Sequence, residues 1–248
     1  MRFATGVALA VAISTAARTA RAATFCAPLA GSASTLAGFT ADERLGVIEA
    51  GLRRGARRAR IWAWSWAGLY SAITVGQLAS LAVRGSESQK DVAVGAPGAL
   101  LGVAALALAP LKVMGDQRRL DQLLLAAGPA SDRCALLAEA ERLLVRDAAS
   151  EAFGRSPLVH IGNVVVNLGL GLALGLGFGH WTPAAITFAV GVTVGELQIF
   201  TQPTDVSQLL ANYRAGLLEI DRAPSGEHWT IAPSIAPGYY ALAFNIHF

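Results

Sequence analysis

Long apolar segments, separated by shorter polar ones, dominate the pattern along the chain. Each is close to the roughly 20 residues that a helix needs to cross the hydrocarbon core of a bilayer, and none has a charge in its middle. We therefore predict an all-α membrane protein with four transmembrane helices arranged as two helical hairpins, 61–113 and 158–200. The four predicted spans are 61–83, 94–113, 158–179 and 183–200.

Composition agrees with this interpretation. Apolar residues make up 54% of the 248 residues, charged residues only 15%, and mean hydropathy is +0.47. A typical soluble domain has about 25% charged residues. These values exclude a disordered chain, a nucleic-acid-binding tail and a small disulfide-stapled domain.

The first 22 residues have the pattern of a secretory signal peptide. A basic start at Arg2 is followed by an apolar stretch over 3–13 and by the small-residue pattern Ala20-Arg21-Ala22. The apolar stretch is too short to span a bilayer, and an A-x-A pattern is typical of a cleavage site. We predict cleavage of 1–22; the alternative is an uncleaved anchor.

Cleavage would place the mature N-terminus on the exported side of the membrane, together with the 114–157 loop and the C-terminal tail. Such a topology opposes the positive-inside rule, because most basic residues then face outward. We keep this orientation because a signal sequence sets it before the positive-inside bias can act. In addition, acidic residues balance the basic charge of the 114–157 loop. The basic residues on the predicted exported side are Arg44, Arg53, Arg54, Arg57, Arg58, Arg60, Lys112, Arg118, Arg119, Arg133, Arg142, Arg146 and Arg155, against Arg84 and Lys90 opposite.

The only two cysteines, Cys26 and Cys134, both fall on the predicted exported side. Disulfides persist in such oxidising compartments. We predict a Cys26–Cys134 disulfide; the alternative is two unpaired thiols.

The extramembrane segments predict a small helical cap. Thr40 and Glu43 form a capping-box pattern that begins an amphipathic helix within 23–60. The 114–157 loop is typical of a helical hairpin, with a stop at Gly128-Pro129 and a new helix capped by Ser131 or Asp132. The alternative to a structural cap is a surface that docks a partner. The arginines over 53–60 predict an anchor for anionic headgroups.

Polar side chains at similar predicted depth form a candidate intramembrane layer. A buried carboxylate is costly unless it is paired, so Glu196 with His160 could bind a cation, relay a proton or act as acid and base. The structural alternative is that Glu196 reaches the interface or pairs with a lysine. The layer consists of His160, Asn163, Asn167, Glu196 and Lys112.

Glycines recur at intervals of four in the last two predicted spans. Small residues at that spacing let helix backbones approach closely. We predict tight packing between these spans, with a homodimer face as the alternative. The helix-packing glycines are Gly171, Gly175, Gly179, Gly191 and Gly195.

The tail over 201–248 changes character after a short predicted helix at 204–221. Two segments on either side of Pro237-Gly238 predict a β-hairpin, and apolar residues alternate strictly from Tyr240 to Phe248. This last segment resembles the terminal strand of bacterial outer-membrane β-barrel proteins, although the rest of the chain lacks their repeated strands. The hairpin could dock on the cap, pair with another chain or engage outer-membrane assembly machinery.

Together these patterns predict a structural or assembly component of the bacterial cell envelope, in the inner more than the outer membrane, with both termini exported. Its predicted partners are the lipid bilayer and, through the hairpin, a second copy or an envelope protein, without nucleic acid. An oligomeric channel or transporter using the polar layer is the first alternative, and a membrane-embedded enzyme the second. No catalytic, phosphate-binding or metal motif occurs, so we expect no catalytic residue, cofactor or metal.

Overall fold

The computed structural model describes residues 23–80, 86–128, 131–218, 229–236 and 239–246. The predicted signal peptide, 1–22, lies outside the described residues.

The first helix, α1 (Ala41–Ser80), begins at the predicted capping box. The Thr40 backbone N–H donates to a Glu43 carboxylate oxygen at 2.7 Å, and the Glu43 N–H donates to the Thr40 hydroxyl at 3.2 Å. The helix continues for 40 residues, about 60 Å. The helix is continuous through residue 60, where we predicted the boundary between the amphipathic helix and the first span; that boundary stays a prediction.

Helices α2 (Ser86–Leu108) and α3 (Val113–Ala126) are separate. We expected the second span to reach residue 113. Pro110 interrupts it, because proline has no N–H to donate and disfavours a helical conformation in the residue before it.

The next helix, α4 (Arg133–Gly154), begins as predicted at Asp132, whose side chain accepts from the backbone N–H groups of Cys134 and Ala135 at 2.9 and 3.2 Å. Next come α5 (Pro157–Phe178) and α6 (Trp181–Phe200). The N-cap position of α6 is His180. The last helix, α7 (Asp205–Arg214), is shorter than the predicted 204–221.

Three helical stretches of the described chain are long and apolar enough to cross a membrane: Ala96–Ala126, Pro157–Phe178 and Trp181–Arg214. The first predicted span, 61–83, is not among them. Its described part contains Trp62, Trp64 and Trp66 and also carries Gln77, which lowers its mean hydropathy. The helical body therefore contains three candidate spans where we predicted four.

The cap consists of the first half of α1 with α3, α4 and α7. Two glycines of α1 allow α7 to approach closely: a Cβ on Gly51 would overlap the Leu209 side chain, and one on Gly55 would lie 2.8 Å from Val206. The tail helix is thus part of the cap, which the sequence did not predict. The largest aliphatic side chains of its core are Leu36, Leu45, Ile48, Leu52, Leu111, Leu120, Leu137, Leu143, Leu144 and Leu210.

Near the C-terminus, β1 (Trp229–Ala236) and β2 (Tyr239–Ile246) pair antiparallel, with Trp229 opposite Ile246. The residues that join β1 to α7 lie outside the described chain. How this pair meets the cap or another chain stays a prediction.

Candidate functional site

Polar side chains of α5 and α6 form a continuous hydrogen-bonded ladder. His160, Asn163 and Asn167 share one face of α5, because residues three and four apart are neighbours on a helix. Glu196 of α6 faces them. We call these four residues the polar ladder; it extends over about 10 Å of α5.

The carboxylate of Glu196 uses both of its oxygens inside the ladder. His160 Nδ1 lies 2.6 Å from Oε2, and the Asn163 amide donates to Oε1 at 2.9 Å. An ionised carboxylate only accepts, so with Glu196 ionised Nδ1 is the ring nitrogen that carries the proton of this contact. The ladder thus supplies the paired environment that an intramembrane carboxylate requires.

The two asparagines complete the ladder. The Asn163 amide also donates to the Val192 carbonyl at 3.0 Å. The Asn167 amide donates to the backbone and side-chain oxygens of Asn163 at 2.9 and 2.8 Å. Each amide therefore bonds to groups of the same helix pair.

Glycines of α6 make room for the ladder. A Cβ on Gly191 would overlap the Asn167 amide oxygen, and a Cβ on Gly195 would overlap that of Asn163. On α5, a Cβ on Gly171 would lie 3.2 Å from the Ala184 carbonyl, and one on Gly175 would lie 2.7 Å from the Trp181 ring.

Two predicted residues are placed elsewhere. Gly179 ends α5 with φ +73°, and nothing lies within 4 Å of where its Cβ would be; it provides a left-handed turn instead of a packing contact. Lys112 is exposed at the start of α3, after the Pro110 break. Among the described residues, Glu196 contacts His160 and forms no salt bridge with Lys112.

Contacts between α1 and α6 were missed by the sequence analysis. The Tyr70 hydroxyl donates to Gln198 at 2.6 Å, and the indole N–H groups of Trp62 and Trp66 donate to the Thr201 hydroxyl at 3.3 and 3.0 Å. The tryptophan cluster indicated an interface, but no sequence pattern identified its partner.

The cap contains a buried charge centre that no motif predicted. Arg44 is fully buried; its Nε donates to the Tyr213 hydroxyl at 2.8 Å, and its guanidinium also contacts Glu141. Further donation to the carbonyls of Cys26 and Ala27, at 3.1 and 3.2 Å, holds the N-terminal segment. Burial works to lower the pKa of Arg44, but hydrogen bonds to Tyr213 and Glu141 outweigh burial and raise it.

The predicted disulfide forms beside this centre. Cys26 and Cys134 are bonded, with their Cα atoms 5.5 Å apart and a sequence separation of 108. Among the described residues there is no free cysteine. The disulfide and Arg44 together attach the N-terminal segment to α4.

A second buried carboxyl lies between α3 and α4. Asp147 is 1% exposed, and no donor within the described chain reaches either of its oxygens. Burial and the neighbouring Asp116 carboxylate raise the pKa of Asp147 to about 9. Asp116 itself accepts from Arg146 at 2.8 Å. A neutral Asp147 can donate its own O–H to Asp116, which explains the absence of an external donor.

Helix α7 is held by a carboxylate of α4. Glu151 is 1% exposed and accepts from the backbone N–H groups of Val206 and Ser207 at 3.3 and 2.8 Å. These are free amides of the first turn of α7, so Glu151 acts as its cap from another helix. Burial raises the pKa of Glu151, while the bonds from Ser207 oppose that rise.

The polar ladder has few polar groups left to bind a ligand, because these groups already bond to one another. Its donors bond within the α5–α6 pair, and Gly191 and Gly195 leave only the space that the asparagines fill. Within the described residues, no group of three or more His, Cys, Asp or Glu could hold a metal ion. Within the ladder, the pair suited to proton transfer is His160 with Glu196.

Comparison of the chain with protein-family models, with curated proteins and with solved structures finds no match.

Proposed function

We propose that the chain is a structural or assembly component of the bacterial cell envelope, a membrane-anchored scaffold that carries a disulfide-tied helical cap. One observation carries the proposal: the polar groups of the ladder are bonded to one another and lie between α5 and α6. They act as packing contacts between helices, a common use of buried amides in membrane bundles.

A conduit would need polar groups that are free to replace the hydration shell of a permeating ion. Both oxygens of Glu196 are already occupied by His160 and Asn163. Opening a path there would break these bonds and separate α5 from α6. The closed ladder therefore favours a scaffold over a channel within one copy.

The proposal includes a fourth span, the second half of α1. Tyr70 packs on Gly102 of α2, where a Cβ would lie 2.8 Å from its ring, and it bonds to α6 through Gln198. The opposite side of this half-helix exposes Trp64, Val75 and other large apolar side chains, as expected of a lipid-facing surface. A cysteine at Val75 should resist a water-soluble maleimide; rapid labelling would contradict this span.

We also propose that the cap lies on the exported side of the inner membrane, with both chain ends on that side. The Cys26–Cys134 disulfide supports this orientation, because cytosolic thiols are kept reduced. Alkaline phosphatase fused after residue 218 should be active in cells, and a fluorescent protein fused there through the Sec route should not. The reverse result would show that the cap lies on the cytoplasmic side. Sedimentation with outer-membrane markers would show that the protein resides in the outer membrane.

The scaffold is tested by flux measurements. Purified protein in liposomes that contain a pH-sensitive dye should give the same proton leak as empty liposomes, with and without a potential. A leak that Glu196→Gln abolishes would overturn the scaffold. Asn212→Gln, at an exposed position of the cap, serves as the control variant.

Assembly is tested in native membranes. A scaffold should migrate on native gels as a complex larger than one chain, and deletion of 229–248 should dissociate that complex while the chain stays in its membrane. A single-chain species throughout would contradict the assembly role, and relocation on deletion would indicate outer-membrane machinery as the partner.

The second candidate is an oligomeric channel or transporter. The observation in its favour is that the His160 and Glu196 side chains are 29% and 26% exposed, so a second copy could reach them from outside the pair. In that case the proton leak should rise steeply with the protein-to-lipid ratio and disappear in Glu196→Gln.

A further inference from the structure

We propose that the junction between the cap and the membrane helices binds anionic phospholipid headgroups. The binding residues are Arg60, Lys112 and Arg155, which we call the cationic belt. Arg60 precedes the apolar half of α1, Lys112 separates α2 from α3, and Arg155 separates α4 from α5. Each cation therefore stands where an apolar helix meets the cap.

The first and third of these positions lie at one level of the molecule. Trp62, two residues after Arg60, bonds to Thr201 at the end of α6. The adjacent Gln202 donates to the Glu151 carbonyl at 2.9 Å, one helical turn before Arg155. Arg60 and Arg155 therefore lie near the same end of α6.

Lys112 belongs to the same level. The next residue, Val113, lies 3.7 Å from the position of a Cβ on Gly55, little more than one turn before Arg60 on α1. The three cations therefore lie at one level of the molecule, each on a different part of the chain.

The carboxylates near this level are already committed to internal partners. Asp205 accepts from Arg58 at 2.6 Å, Asp116 pairs with Arg146 and Glu196 pairs with His160. Within the described part of the chain, no carboxylate lies within 4 Å of a cation of the belt. Lys112 and Arg155 are exposed and Arg60 is half-buried, so the belt needs counterions from outside the protein.

The apolar surface around the belt indicates which kind of anion would bind there. Beside the cations, large apolar side chains are exposed: Ile61 by 53%, Leu108 by 85% and Leu158 by 64%. A ligand that satisfies both features carries a phosphate next to hydrocarbon, as an anionic phospholipid does. Basic residues beside membrane helices are attracted to such lipids, and their aliphatic stems cover apolar surface while the charges reach the headgroups.

The test measures lipid retention by native mass spectrometry of the full chain in neutral detergent. Phosphatidylglycerol and phosphatidylcholine are added in turn. The variant Arg60→Gln/Lys112→Gln/Arg155→Gln should lose affinity for phosphatidylglycerol by a factor of up to about 100, since each cation near an anionic surface contributes about fivefold. Its retention of phosphatidylcholine should not change.

A matched control removes three cations from the other end of the cap: Arg133, Arg142 and Arg214, each changed to Gln. Arg214 follows Tyr213, which bonds Arg44, and Arg44 lies about 24 Å before Arg60 along α1. This variant should retain phosphatidylglycerol like the unaltered protein. Restoring charge in the belt with Arg60→Lys and Arg155→Lys should also preserve most of the retention.

Three outcomes would overturn the proposal. They are equal retention of the two lipids by the unaltered protein, equal loss in belt and control variants, and displacement of the lipid by inorganic phosphate. If the triple belt variant does not fold, the exposed pair Lys112→Gln/Arg155→Gln gives the same comparison. The result is independent of the scaffold role, because it measures no flux and no complex.

Discussion

The amide oxygen of Asn167 on α5 occupies the position that a Cβ on Gly191 of α6 would take. The neighbouring pair repeats the relationship, with Asn163 against Gly195. Asparagine and glycine are therefore complementary across this interface: the glycine removes a side chain, and the amide uses the space to reach the ladder. Each asparagine–glycine contact therefore combines close packing of the helices with the hydrogen bonding of the amide.

Gly191→Ala should disrupt this contact. The added methyl group must displace the Asn167 side chain, so we expect a loss of about 1–3 kcal/mol, the usual cost of overpacking. Reversible unfolding of the protein in detergent, followed by circular dichroism, measures it. Adding Asn167→Ala should recover part of the loss, because the smaller side chain frees the space.

The control for this substitution is Gly169→Ala. Nothing lies within 4 Å of a Cβ at that position, and alanine favours a helix, so stability should stay the same or rise. If Gly191→Ala is as well tolerated as Gly169→Ala, the packing described for α5 and α6 is incorrect.

Removing the Cys26–Cys134 disulfide should loosen the cap. The bond closes a loop of 108 residues, and loss of a native disulfide typically costs about 2–5 kcal/mol. Cys26→Ser/Cys134→Ser should therefore lower the unfolding temperature and expose the N-terminal segment to protease. Reduced unaltered protein is the control and should behave like the double variant. Unchanged mobility on gels after reduction would argue that the bond does not form in cells.

Replacing Arg44 should be among the most damaging changes in the cap. Arg44→Met leaves the buried Glu141 carboxylate without its cation, and breaking a buried pair costs about 3–5 kcal/mol. Denaturant titration compares it with Arg44→Met/Glu141→Gln, in which the unpaired charge is gone and part of the loss should return.

The matched control for Arg44 is Arg53→Met, at an exposed arginine of the same helix that pairs with Glu49. Exposed pairs contribute about 0–1 kcal/mol, so its effect should be small. Similar losses for Arg44 and Arg53 variants would contradict the buried centre.

Alkaline pH should weaken the cap through Asp147. The pKa of Asp147 is about 9 in the folded protein and close to 4 in the unfolded chain. Between about pH 4 and pH 9 the folded state therefore binds one more proton than the unfolded state. Stability from this group is therefore complete below about pH 4 and is lost as pH rises through 9. Asp147→Asn should flatten the decline in unfolding temperature between pH 6 and 9.

The control for the pH experiment is Asp42→Asn, at a carboxylate whose side chain is 61% exposed. That variant should decline with pH like the unaltered protein. A flat profile in the unaltered protein, or an equal response of the two variants, would show that Asp147 does not hold the proton.

Several features could be predicted from sequence because their causes are local. The capping box at Thr40 and the Asp132 cap depend on residues two or three positions away, and the apolar runs over 158–179 and 183–200 match α5 and α6 closely. The Cys26–Cys134 disulfide followed from having only two cysteines. The exception among local features was Pro110, whose interruption of the second span was overlooked.

Other features depend on partners far apart in sequence. No periodicity indicates that Arg44 meets Tyr213, 169 residues later, or that Glu151 caps α7 across 55 residues. The depth of Glu196 was predicted, but its partner could not be chosen between His160 and Lys112 until the helices were placed.

The sequence by itself determined where apolar helices form, which residues begin them and which polar residues must find partners near the membrane. These outcomes depend on hydropathy and on hydrogen bonds between near neighbours. Only the tertiary structure decided which partners they find: Asn167 packs against Gly191, and Glu196 contacts His160 rather than Lys112. It also decided that α7 belongs to the cap. The reason is that a buried polar group must be paired, and shape complementarity between distant helices decides which group lies within reach.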